Sequence, residues 1–218
     1  MTYAELVAKI QVWWESDETA FLAEFDNFIE NAELRIYRTV DLSNAHTTDA
    51  SVVLTQGQRS VTIPTAVVVI RNVSLLNSDG VTSTQLLQKD ITFLRDYAPD
   101  DSTEGTPKYY AWNTDSTILV APSPDATAAA GTLTVDYTYR PTQLSSGNTT
   151  TWLSLNAPDV LFYACMLEVL TFQKAEPDTI ADYTAKYQQT LQGLIMEENL
   201  RNRGDEYRSG EIKVGGAQ

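Results

Sequence analysis

The chain has 218 residues, 43% of them hydrophobic, which is enough to bury a substantial core and too apolar for a disordered body. Its 15 basic residues against 29 acidic ones leave a formal charge of −14, a surface that repels phosphate backbones and argues against sequence-specific nucleic-acid binding. One cysteine, Cys165, excludes an internal disulfide framework, and one histidine, His46, excludes a histidine-rich metal site. The longest apolar run, Val67-Val68-Val69-Ile70, falls far short of the roughly 20 residues of a membrane span. The N-terminus has no basic region ahead of an apolar block, so the expectation is a product made in the cytosol without a secretory signal.

Thr2 and Glu5 have the spacing of a capping box and open a first helix, with Leu6, Ile10, Trp13 and Trp14 on its apolar face. Ser16-Asp17 can cap a second helix, whose apolar set is Phe21, Leu22, Phe25, Phe28, Ile29, Ala32 and Ile36 and which ends near Arg38. From about Thr47 the period changes. Val52 to Leu54 and Val61 to Ile63 flank Gln56-Gly57-Gln58, the pattern of a hairpin. Val67 to Leu76 suits a central strand, Asn77 to Gly80 a turn, and Thr84 to Gln88 the returning strand. Ile91, Phe93, Leu94 and Tyr97 mark a short helix closed by Pro99, followed by an acidic loop from Asp100 to Thr106.

Tyr109 to Trp112 and Thr117 to Val120 form two more strands, and Pro122 and Pro124 forbid a continued ladder. The small-residue run Asp125 to Gly131 reads as a mobile loop. Leu133, Val135, Tyr137 and Tyr139 alternate with polar residues, which marks a half-buried strand ending at Pro141. After a polar loop, a third helix begins around Pro158 and is apolar on nearly every side from Val160 to Phe172. A fourth runs from about Thr179 past Leu200, with Ile180, Tyr183, Tyr187, Leu191, Leu194 and Ile195 on one face. The fold expected is α+β: an antiparallel helical bundle from the N- and C-terminal helices, with an inserted, mainly antiparallel β region. The boundaries are 1–46 for the first helix pair, 47–141 for the β region, 142–200 for the second pair and 201–218 for a flexible arm.

Catalytic signatures do not emerge from this order. The sequence carries no phosphate-binding glycine loop and no nucleophile elbow. His46 sits in a polar loop, and Cys165 lies in the most apolar helix, where a small core residue is the economical role. Asp96, Asp100, Asp101 and Glu104 gather near Tyr97, Tyr109 and Trp112, the residue mix of a carbohydrate or glycosidase site, although acidic loops are usually solvated. The same loop lacks the spaced carboxylates of a calcium site. Tyr109, Tyr110, Trp112, Tyr137 and Tyr139 are explained as core or interface residues of neighbouring strands. No cofactor, metal or catalytic residue is expected.

The order of the segments is informative as a whole. The N-terminal helix pair is followed by Phe93-Leu94-Arg95-Asp96-Tyr97, Gly105-Thr106-Pro107 with Tyr109-Tyr110, Pro122-Ser123-Pro124-Asp125, Tyr137 to Pro141, Gln143-Leu144-Ser145, Trp152 and Leu161-Phe162-Tyr163-Ala164. This order resembles the head-to-tail adaptors of tailed bacteriophages, the tail tubular protein A or gatekeeper-type connectors of short-tailed phages. The resemblance implies a structural, non-enzymatic virion protein at the head–tail junction, in a ring of about twelve copies between the portal and the nozzle or tail tube. Its implied partners are other copies of itself, the portal protein, the nozzle or tail tube protein and, transiently and without sequence preference, the phage DNA that the ring conducts, with no membrane. It also implies a C-terminal portal-docking arm, carried here by Arg201, Arg203, Tyr207, Arg208, Ile212 and Val214. The arm has four basic residues against three acidic ones, unlike the rest of the chain. The alternative is a carbohydrate-binding or peptidoglycan-hydrolysing tail component built on Asp100 and Trp112.

Overall fold

The computed structural model describes residues 1–14, 19–78 and 80–201. Helices α1 (Tyr3–Trp14), α2 (Thr19–Ala23) and α3 (Phe25–Thr39) come first, then strands β1 (His46–Val52), β2 (Ser60–Thr62), β3 (Val69–Leu76) and β4 (Ser83–Gln88). Helix α4 (Ile91–Tyr97) leads to β5 (Glu104–Gly105), β6 (Tyr109–Thr114), β7 (Thr117–Ala121) and β8 (Ser123–Pro124). Helix α5 (Ala126–Ala129) and β9 (Thr132–Thr138) follow, and α6 (Trp152–Asn156), α7 (Pro158–Phe172) and α8 (Pro177–Arg201) complete the order. Two compact units result: residues 1–43 with the chain from 142 onward, and residues 44–141.

The expected helical bundle with a β insertion is corrected by the sheet. The strand-rich region is the central element of the fold, a mixed seven-stranded sheet in the order β1-β9-β3-β4-β6-β7-β2, with helices towards the two ends of the chain. Its neighbours are antiparallel except β4 and β6, which run parallel, with Leu87 opposite Tyr109 and Gln88 opposite Tyr110. A parallel pair needs a crossover, and α4 lies within it. Asp90 caps α4 by accepting the Thr92 N–H at 2.8 Å. The sheet has its own core, in which Val73, Leu75, Ile118, Val120, Leu133 and Val135 are fully buried. Burial along β9 follows the alternation of the sequence, with Leu133, Val135 and Tyr137 inside.

Other expectations change as well. Val52 to Leu54 and Val61 to Ile63 do not form a hairpin: β1 pairs with β9, and β2 pairs with β7. The run from Asp125 to Gly131 is not an unstructured loop, because Asp125 caps α5 by accepting the Ala128 N–H at 2.7 Å. The second helix is divided at Glu24 into α2 and α3. Helix α6 was not anticipated; Thr151 and Ser154 form its reciprocal capping box. The caps proposed at Ser16-Asp17 lie outside the described residues.

The helical unit forms around α7. Val160, Leu161, Phe162, Ala164, Cys165, Met166, Leu167, Val169 and Leu170 are all buried, as an all-round apolar helix requires. Helices α3 and α8 pack on it. The start of α1 is fixed by Thr2 and Glu5: the Glu5 N–H donates to Thr2 Oγ1 at 3.3 Å, and the Thr2 N–H donates to Glu5 Oε2 at 2.7 Å.

Candidate functional site

Helix α8 buries Tyr187, Leu191 and Leu194 along one stripe, and the next positions of that stripe are Glu198 and Arg201. A carboxylate is therefore carried into an apolar seam. Glu198 is only 3% exposed. Its Oε2 accepts the Ser43 backbone N–H at 3.1 Å and the Ser43 hydroxyl at 2.8 Å, and its Oε1 accepts Arg201 Nη1 at 2.9 Å. Arg201 Nη1 also lies 3.3 Å from Ser43 Oγ, and its guanidinium carbon stands 5.6 Å from the centre of the Trp152 ring. Four residues from α6, α8 and the end of the α3 connection thus converge where the C-terminal segment begins.

Of the residues expected in the portal-docking arm, Arg201 is described and belongs to this cluster. Arg203, Tyr207, Arg208, Ile212 and Val214 lie outside the described residues. Sequence reading missed Glu198, Ser43 and Trp152 as partners of Arg201. The available signal was the position of Glu198 seven residues beyond Leu191 on the apolar stripe.

The aromatic and acidic residues of the 96–112 region do not assemble as one cleft. Successive side chains on a strand point to opposite faces. Tyr109 and Ala111 accordingly pack with Leu94, Ala98 and Ala121, whereas Tyr110 and Trp112 pack with the main sheet core. Tyr97 and Tyr109 are in edge-to-face contact at 4.9 Å, and Phe93 stacks beside Tyr97. The carboxylates are also taken up locally. Asp100 accepts the Ser102 N–H and hydroxyl, which hold its carboxyl below the usual range, and Glu104 accepts Gln56 Nε2 at 2.9 Å.

Asp101 pairs with Arg59, whose guanidinium donates to the carbonyls of Leu94 at 2.9 Å and Ala98 at 3.0 Å. Both carbonyls stand at the C-terminal end of α4, where that of Leu94 also accepts the Ala98 N–H at 3.1 Å, and the cation complements the helix dipole there. A cavity of about 590 Å³ beside them is lined by Arg59, Leu94, Arg95, Pro99, Asp101 and Leu119, among others, and Arg59 is committed to its structural bonds.

The remaining reactive groups are likewise placed by packing. Cys165 is fully buried, and desolvation, with smaller contributions from Glu33 and Glu168, pushes its thiol well above the usual range. The thiolate that a nucleophile needs is thereby disfavoured. His46 opens β1 beside Arg71. Among the described residues, no group of three or more His, Cys, Asp or Glu could hold a metal ion, and no helix is long and apolar enough to cross a membrane.

No curated protein matches the chain. The family model described as SU10 adaptor protein matches residues 1–213, nearly the whole length. The motif order that resembles phage head-to-tail adaptors is thus confirmed at the level of the family, and a structural role as a virion component follows from it. The chain belongs to the SU10 adaptor protein family, a family of phage head-to-tail adaptors.

Proposed function

We propose that this chain is the repeating subunit of a ring at the head–tail junction, bound to the portal on one side and to the nozzle or tail tube on the other. The observation that carries this reading is the family match over residues 1–213. The charge of −14 supports a DNA conduit, because acidic walls repel phosphates and let the duplex slide without sticking. The role is structural rather than catalytic. The C-terminal segment from 201 onward, with more basic than acidic residues on an acidic chain, is the part that docks on the portal. Closed rings of identical subunits require a heterologous contact whose rotation closes, and about twelve copies is the expected number by resemblance to the adaptor class.

Mass photometry of the purified chain, alone and with portal protein from the same virion, tests this. A portal-bound complex whose added mass fits about twelve copies is the expected result. A monomer that ignores the portal would overturn it. The double substitution Arg203→Glu with Arg208→Glu is expected to abolish portal binding; normal binding would remove the docking role of the arm and leave the ring intact.

A further inference from the structure

Two carboxylates, Glu33 and Glu198, are buried among the described residues. Glu198 differs from Glu33 in having a cation beside it, and that cation is the first residue of the docking segment. The pair is asymmetric: the Arg201 side chain is 54% exposed and its partner 3%. A surface arginine in water is free to reorient, whereas one bonded to a buried carboxylate and lying over a tryptophan ring is held in place. Ser43, which supplies two further hydrogen bonds to Glu198, is the last residue before the chain enters the sheet unit at Asn44. One carboxylate therefore ties down the root of the C-terminal segment and the point where the chain leaves the helical unit.

We infer that Arg201 is a positioning residue and not a portal contact: with Glu198, Ser43 and Trp152 it clamps the root of the C-terminal segment, holding residue 201 in one place on the helical unit. This inference rests on the docking reading of that segment. A fixed root lowers the conformational entropy lost when the segment docks, so affinity is gained without any bond from Arg201 to the portal. In a ring, each subunit then offers its segment at the same place, which is the geometric condition for several arms to engage at once.

The test is portal affinity of the full-length chain, with thermal unfolding followed in parallel. Arg201→Ala and Glu198→Gln are each expected to weaken binding roughly tenfold, by the same factor, and their combination no further. Arg201→Lys, which keeps a cation for Glu198, is expected to recover part of the loss. Ser43→Ala supplies a milder variant, which removes the hydroxyl's bonds to Glu198 and Arg201 and keeps the backbone N–H bond, should Glu198→Gln fail to fold. If Arg201 touched the portal directly, Glu198→Gln would leave binding intact or strengthen it, and the clamp would be overturned. Loss of thermal stability with unchanged affinity would overturn it equally, by making the cluster purely structural. If Arg203→Glu with Arg208→Glu abolishes binding while Glu198→Gln and Arg201→Ala bind normally, the clamp falls and the docking role stands. If the charge-reversed arm binds as well as the natural one, the docking reading falls and takes the clamp with it.

Discussion

Glu33 on α3 and Thr151 ahead of α6 are 118 residues apart in the chain and joined by a 3.0 Å hydrogen bond in the interior, the Thr151 hydroxyl donating to Glu33 Oε1. The other carboxylate oxygen accepts the Leu144 N–H, also at 3.0 Å. One acid thus fixes both ends of the connection that returns the chain to the helical unit. Burial pushes its carboxyl above the ordinary value, and the two hydrogen bonds offset only part of that shift.

The pH dependence of Glu33 follows from that direction. Because the folded state holds the proton more tightly than the unfolded chain, stability from this group is greatest below the unfolded value of 4.5 and declines as pH rises through the folded pKa. Glu33→Gln keeps an acceptor for Leu144 and removes this slope, so its unfolding free energy at neutral pH should equal or exceed that of the natural chain. Glu33→Ala leaves the Leu144 N–H and the Thr151 hydroxyl buried without this partner and should cost about 2–4 kcal/mol. Urea denaturation at pH 5 and pH 8 checks both. A Gln variant with an unchanged pH slope would show that Glu33 does not titrate as described.

Arg59 is expected to be a stability residue of the sheet unit. Its side chain is 12% exposed and donates to two carbonyls at the end of α4, whereas Asp101, its ion-pair partner, is 81% exposed. Arg59→Met should therefore cost about 2–4 kcal/mol through the lost carbonyl bonds, and Asp101→Asn less than about 1 kcal/mol, as for a surface pair. Denaturation of the two variants separates these contributions. Equal losses would mean that the ion pair, and not the cap of α4, is what Arg59 provides.

Much of the local structure was legible in the sequence. The Thr2–Glu5 capping box, the alternation of Leu133, Val135 and Tyr137, and the all-round apolar α7 each state their own surroundings. The strand order of the seven-stranded sheet was not legible, because periodicity reports which face of an element is buried and not which element it pairs with. The false hairpin at 52–63 has the same origin. A turn signal at Gly57 is local, while the partner of His46 is Thr138, far along the chain. At the candidate site, Arg201 is named by its position in the arm that the resemblance implies, but its partner Glu198 is passed over because carboxylates usually remain in water.

Two glycines outside any binding role should respond in opposite directions to the same substitution. Gly131 sits between α5 and β9, where a Cβ would lie 2.4 Å from the Leu76 carbonyl oxygen and 3.2 Å from Leu75 Cδ1. The obstacle is backbone of a neighbouring central strand, which cannot swing aside, so Gly131→Ala should destabilise by about 1–3 kcal/mol. Gly193 lies in the middle of α8 on its exposed side, with nothing within 4 Å of the added carbon. There alanine only removes freedom from the unfolded chain and favours the helix, so Gly193→Ala should stabilise by roughly 0.5–1 kcal/mol. Thermal or chemical unfolding of the two variants beside the natural chain reads both signs. Stabilisation by Gly131→Ala would mean that the run from Asp125 to Gly131 stands away from β3, returning it to the loop that its composition suggests. Destabilisation by Gly193→Ala would mean that α8 meets a neighbour on its exposed face, as a subunit in a ring would.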